Sequence, residues 1–207
     1  MKQQALFNLP EFMFSHFNRV DFGGDLFEQW PVGIRFDIGI NNISRASQLF
    51  NFVFSSAQDC ILVSQDWVQD GSLAESFNPL FKTPGIFRAE PAQLQSVEVS
   101  PFDETPYQLT WSRLSSLDFD AAQMFQGIAN REQHGIPKIS SGVYVIDPHA
   151  RVIMHMYDDR GLDVIAAKID TLRQIFENFG GWVLNNQRHK IEFRFKPTPH
   201  HLPEKNN

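Results

Sequence analysis

Asp158, Asp159, Arg160 and Asp163 crowd around Gly161 in the segment MYDDRGLDVIAA, the one tightly spaced charged cluster in the chain. Clustered carboxylates invite two chemical readings. Hard divalent cations are held by grouped carboxylate oxygens, and a pair of carboxylates can divide acid and base roles across a scissile bond. Neither pattern is complete here. A calcium-binding loop sets ligands at alternating positions and closes with a glutamate about twelve residues on, and no such glutamate follows. A hydrolytic pair must face one substrate cleft, which a tight turn does not by itself arrange. The structural reading needs less: aspartates accept hydrogen bonds from the turn's own amides, and Arg160 pairs with one of them. The cluster therefore reads as structural, with a metal-dependent hydrolase using the Asp158–Asp163 carboxylates as the alternative.

The remaining reactive side chains do not assemble a site. The seven histidines, at 16, 134, 149, 155, 189, 200 and 201, make no zinc spacing with cysteine. No metal and no cofactor are expected. Cys60, the single cysteine, lies in the apolar run CILV and reads as a buried, inert thiol. A lone cysteine suits a reducing cytoplasm. Ser140–Ser141–Gly142 lacks the flanking glycines of a nucleophile elbow, and neither a phosphate-binding loop nor a GxGxxG occurs. No catalytic residue is assigned.

Charge points instead toward a partner. Residues 1–137 carry 8 basic and 16 acidic side chains, whereas residues 138–207 carry 10 and 8. Between Arg45 and Lys82 the only charges are Asp59, Asp66, Asp70 and Glu75; between Arg88 and Arg113 they are Glu90, Glu98, Asp103 and Glu104. Such a surface repels phosphate backbones, so nucleic-acid binding is not expected. It attracts a basic protein. The contact surface is expected from residues 59–75 and 98–120, with Asp59, Asp66, Asp70, Glu75, Glu98, Asp103, Glu104, Asp118 and Asp120 as its acids. Trp67, Phe77, Phe102 and Trp111, in or beside these windows, are its aromatic anchors. No apolar run reaches the roughly 20 residues of a membrane span. The N-terminus MKQQALFNLPEF lacks the apolar core and cleavage site of a signal peptide. A soluble cytoplasmic protein is expected.

These residues need a frame, and the hydrophobic periodicity supplies one. The spacing of Leu6–Phe17 predicts a helix restarting near Pro10, where proline suits the first turn. WPVGIRFDIGI predicts a strand over 32–39, and RASQLFNFVFSS a helix capped by Ser44. Cys60–Val68 and Tyr107–Arg113 read as strands, with short strands at 85–89 and 95–99. Asp118 or Asp120 caps a helix over 119–132. Residues 143–166 then form a three-stranded meander, turning at Asp147–Ala150 and at Asp158–Gly161, where glycine is free to adopt positive φ. Val143, Val145, Val152, Met154, Met156, Val164 and Ala166 share one face, with residues of mixed polarity opposite. The apolar stripe Ile169, Leu172, Ile175, Phe176, Phe179 predicts a helix over 168–179 ending at Gly180–Gly181, and a last helix covers 188–195. Trp30 and Trp182 follow turn-like segments and read as core anchors. The fold class is α+β, a mainly antiparallel sheet with a C-terminal meander packed by helices. Residues 1–196 make a single domain, a subdivision near 69–118 being left open, and 197–207 a loose tail.

Two stretches also have a family look. WPVGIRFDIG with RASQLFNFVFS, and MYDDRGLDVIAA with GGWVLNNQRHKIEFRF, resemble the bacterial family catalogued as domain of unknown function 3885. Its members end in a tyrosine, a paired aspartate, arginine and glycine, then an Asp-Val pair and a helix leading to a tryptophan. Tyr157, Asp158, Asp159, Arg160, Gly161, Asp163, Val164 and Trp182 match that pattern. The resemblance implies a soluble bacterial α+β domain and carries no activity with it. Acidic bias, abundant Phe and the lack of a catalytic constellation then favour a non-enzymatic protein-binding module. Its most concrete form is an immunity protein that neutralises a basic bacterial toxin.

Overall fold

Strand residues at i and i+2 share a face, so a sheet covered on both sides must be apolar at odd and even positions alike. The run GVYVIDPHARVIMHMYDDRGLDVIAA meets that demand. The computed structural model, which describes residues 7–18, 20–40, 42–69, 72–73, 79–100, 104–115 and 117–195, buries nearly every residue of its three strands. These are β6 (Gly142–Asp147), β7 (Val152–Met156) and β8 (Gly161–Ala166). They extend a sheet that also contains β1 (Gly33–Asp37), β2 (Cys60–Gln69), β4 (Leu94–Val99) and β5 (Pro106–Leu114), in the order β1-β8-β7-β6-β2-β5-β4. The two-residue β3 (Ser72–Leu73) pairs with the end of β2. Among the described residues every strand pair is antiparallel. The protein is α+β, as its pattern of elements predicts.

Among the described residues there are six α-helices: α1 (Leu9–Phe17), α2 (Leu26–Gln29), α3 (Ile43–Val53), α4 (Ala121–Gln133), α5 (Ile169–Phe179) and α6 (Arg188–Phe195). The one-face reading of the meander holds. Val143, Val145, Val152, Met154, Met156, Val164 and Ala166 join a single apolar cluster with Leu49 and Phe50 of α3, Phe125 and Ile128 of α4, Leu172 and Ile175 of α5, and Ile191 of α6. The opposite face carries Ile61, Val63, Trp111, Tyr144, Ile146, Ile153 and Ile165. It is covered by Leu9, Phe12, Met13 and Phe17 of α1 and by residues 20–30. Phenylalanine fills both layers.

Local chemistry sets the helix ends. Pro10 stands in the first turn of α1, whose cap is Asn8. Asp120, not Asp118, accepts from the Gln123 amide and caps α4; Asp118 instead receives the Ser115 amide and closes the preceding turn. The cap of α3 is Asn42, which accepts from Arg45 N at 3.2 Å, so the helix starts one residue before Ser44. An asparagine carboxamide reaches the third amide as well as a serine hydroxyl does. The expected strand at 85–89 is reduced to one bridge between Phe87 and Phe119, since Pro84 and Pro91 flank it and interrupt any ladder.

Candidate functional site

One register line runs straight across the sheet. It reads Arg35 on β1, Asp163 on β8, His155 on β7, Tyr144 on β6, Val63 on β2, Trp111 on β5 and Leu94 on β4. All project to the face covered by α1. The first four are polar, and three of them are nearly sealed from water: Asp163 is 1 %, Tyr144 2 % and His155 9 % exposed, with the Arg35 side chain at 14 %.

Their contacts are complementary. Arg35 grips Asp163 with two bonds of 2.8 Å, Nε to Oδ1 and Nη2 to Oδ2, the geometry a guanidinium makes with a carboxylate. Its Nη2 also donates to Asp25 at 2.5 Å. The guanidinium lies over the rings of Phe27 and Tyr157, at 4.9 and 5.3 Å. Burial pushes the Asp163 carboxyl up to about 6, against the pull of Arg35. The His155 ring stacks on Tyr144 with centroids 4.1 Å apart. Its Nδ1 donates to the Val143 carbonyl at 2.8 Å, which assigns the proton to Nδ1 because a carbonyl only accepts. Burial drives the imidazole down to about 4 and so keeps it neutral.

The turn joining β7 to β8 beside this row uses its charges locally. Asp158 Oδ1 accepts from the Arg160 and Gly161 amides at 2.8 and 2.6 Å. Asp159 receives Gln133 Nε2 at 3.3 Å and lies 3.6 Å from Arg160 Nε. Arg131 donates to the Tyr157 carbonyl. Gly161 is required here for space and not for a positive φ. A Cβ at that position would fall 2.1 Å from the Tyr157 ring, and the positive-φ glycines among the described residues are Gly39 and Gly85. Trp182 packs against the helical core with its ring under Arg45, 5.1 Å away. The three aspartates thus serve three separate partners and do not converge.

The acids expected to meet a partner fall into several environments. Asp66 is 2 % exposed. It accepts from Ser64 and Ser141 hydroxyls at 2.6 and 2.5 Å, and burial raises its carboxyl above the usual range. It belongs to the interior, because β2 is central and covered on both faces. Trp111 is likewise buried, its indole donating to the Phe7 carbonyl at 3.1 Å. Asp59 pairs with Arg113 at 2.5 Å and His149 at 3.6 Å. Asp118 and Asp120 are exposed but bind backbone amides. Glu104 is exposed at a left-handed φ of 58°. Asp70, Glu75, Phe77, Phe102 and Asp103 lie outside the described residues, as does the 197–207 tail. Cys60 is buried, its thiol pushed up to about 12, and so is inert.

Trp67 leads to a feature that the acidic windows miss. It lines a cleft of about 940 Å³ together with Trp30, Gly23, Asp25, Glu28 and Pro31. The Trp30 indole is pinned by a 2.7 Å bond to the Ala166 carbonyl. Asp25 and Glu28 stand at the cleft, held by Arg35 and Lys190. Sequence signals for this region and for the polar row existed: Arg35 interrupts the apolar alternation of WPVGIRFDIG, and His155 that of VIMHM.

A single antiparallel sheet faced by helices, bearing a largely buried polar row and an open aromatic cleft, defines an α+β domain whose DDRG turn joins β7 to β8 beside that row. A family model described as Domain of unknown function (DUF3885) matches residues 9–187. The chain belongs to that family. No curated protein matches it, and no solved structure does. Among the described residues no helix is long and apolar enough to cross a membrane.

Proposed function

We propose that this chain is a non-enzymatic protein-binding module, most concretely an immunity protein that covers a basic bacterial toxin in the cytoplasm. The observation that carries the reading is the cleft beside α2. Two tryptophan rings and two carboxylates, Trp30, Trp67, Asp25 and Glu28, line it together. Aromatic faces and carboxylates are the groups that receive arginine and lysine from a partner. The acidic excess of residues 1–137 acts in the same direction by steering a basic protein toward this side of the chain.

The carboxylates around Gly161 are each engaged locally. Asp163 is locked in the Arg35 fork, Asp158 is occupied by turn amides, and Asp159 faces Gln133 and Arg160. Among the described residues no three His, Cys, Asp or Glu side chains gather as metal ligands do.

Co-expression with the product of a neighbouring toxin gene tests the proposal. Growth should be restored by the intact chain. Association of the purified pair should also slow as salt rises, because steering by exposed charge is screened over about 10 Å at 0.1 M salt. A genome with no such neighbour, and cells that die whether or not the chain is present, reject it.

A further inference from the structure

The two edges of the sheet are finished differently. At β1 the chain closes its own edge: Leu184 N donates to the Arg35 carbonyl and Arg194 Nη1 to the Gly33 carbonyl, both at 2.9 Å, and Val183 bridges Phe36. At β4 nothing comparable occurs among the described residues. The Ser100 amide donates to the Thr105 carbonyl at 3.0 Å, which fixes the parity of the β4–β5 ladder. Leu94, Ser96 and Glu98 turn their amides and carbonyls inward to β5, and Gln95, Val97 and Val99 turn theirs outward. No described residue bonds to those outward groups. The side chains of the same three residues are exposed, Val97 at 68 % and Val99 at 60 %. Sheet edges are ordinarily blunted by lysine, proline or a bulge. β4 has none of these, and its register with β5 is unbroken.

We infer that β4 is a docking edge, and that it takes, antiparallel, an extended strand of a basic protein in which apolar and basic residues alternate. Parity sets the alternation. Partner residues opposite Gln95, Val97 and Val99 exchange both backbone bonds and share the face of the exposed valines, so they are apolar. Those opposite Ser96 and Glu98 lie on the other face, where Glu98 is the only charge of β4, so they are basic. A second copy of β4 fits less well. Two-fold pairing about Val97 sets Glu98 on the same face as its own copy, and brings the Glu90 and Glu104 flanks of both chains together. The edge also leads to the cleft, since Ser100, the residue after β4, lines it with Trp67. The inference rests on the binding-module reading and deepens it. Backbone pairing holds the partner strand, and Glu98, one of the expected contact acids, selects its charge.

A capped heptapeptide of alternating lysine and valine probes the edge without any toxin. In titrations of the full chain followed by NMR, the amide signals of Gln95, Val97 and Val99 should move and saturate, and their exchange with solvent should slow. The same peptide N-methylated at its valines lacks the donors that face β4 and should bind about tenfold more weakly. A glutamate–valine peptide should not bind. Val97→Pro removes an outward amide at an edge position where proline is tolerated, and Val97→Lys sets a charge against the peptide's valines. Each should weaken binding about tenfold. The lysine variant decides alone if the proline variant does not fold. Absent saturation, equal binding of the methylated or the glutamate peptide, or unchanged affinity in Val97→Lys each overturn the edge. Dimerisation of the free chain that is lost in Val97→Lys overturns the partner strand in favour of a second copy. Peptide pairing without protection from a toxin upholds the edge and rejects the immunity reading. Protection undiminished in both variants rejects the edge as the toxin's point of contact.

Discussion

Asp163 and His155 face each other across β8 and β7, and the same burial moves them in opposite directions. The folded state keeps a proton on Asp163 until about pH 6, while the unfolded chain releases it near 3.8. Between those values the fold binds more protons than the unfolded chain, so Asp163 makes stability fall as pH rises. His155 does the reverse. Its folded value of about 4 against 6.5 unfolded means that the unfolded chain takes up a proton the fold refuses, so stability rises between those values. Each contribution is on the order of 3 kcal/mol over its window, and from about pH 4 to 6 they oppose each other. Denaturant midpoints at stepped pH should separate them. His155→Phe, which retains a ring against Tyr144, should lose stability relative to wild type as pH rises from 4 to 6. Asp163→Asn should gain relative to wild type from 4 to 6. Two variant profiles parallel to wild type would disprove the coupling. Asp66, by contrast, shows what residue type alone conceals. In SQDWVQ it looks like an acid at a polar strand end, but β2 lies at the centre of the sheet and Ser64 and Ser141 enclose the carboxylate. A lysine there would bring a charge into the interior instead of testing a surface.

Elements were legible where they depend on near neighbours. The alternation from Val143 to Ala166 leaves no length for crossovers, so a meander follows from hairpin spacing alone, and α5 follows from its stripe from Ile169 to Phe179. Sites built from distant strands were less accessible. Nothing adjacent to Asp163 in sequence names Arg35 as its partner, because β1 joins β8 across more than a hundred residues. The start of α3 depended on a choice between two polar residues two positions apart, and geometry chose Asn42. That choice is measurable. Asn42→Ala removes the bond to the Arg45 amide and should lower stability by about 1 kcal/mol. Ser44, whose hydroxyl only accepts from Gln48 on the exposed face, should tolerate alanine within about 0.5 kcal/mol. Equal losses in chemical denaturation would return the cap to Ser44.

At the scale of the whole molecule, one sheet separates two apolar layers, and each strand of the meander contributes to both. Ile153 and Met154 are neighbours in β7, yet Ile153 packs toward α1 and Tyr144 while Met154 packs toward α3, α4 and α5. Both are almost wholly buried, at 0 and 1 % exposure. Truncating either to alanine should cost about 2–5 kcal/mol through lost contacts and the cavity left behind. Because the strand cannot leave one layer without disturbing the other, both losses should appear in a single cooperative transition. Far-ultraviolet ellipticity would report the sheet and helices, and tryptophan emission would weight Trp30, Trp67 and Trp111 on one face against Trp182 on the other. Coincident midpoints from the two probes, displaced together in Ile153→Ala and in Met154→Ala, are the expected result. A variant in which the emission of one layer changes while the ellipticity transition stays in place would show that the layers melt separately. The stretch between β2 and β5 would then be the boundary to examine, since it connects strands that pair with each other at the centre of the sheet.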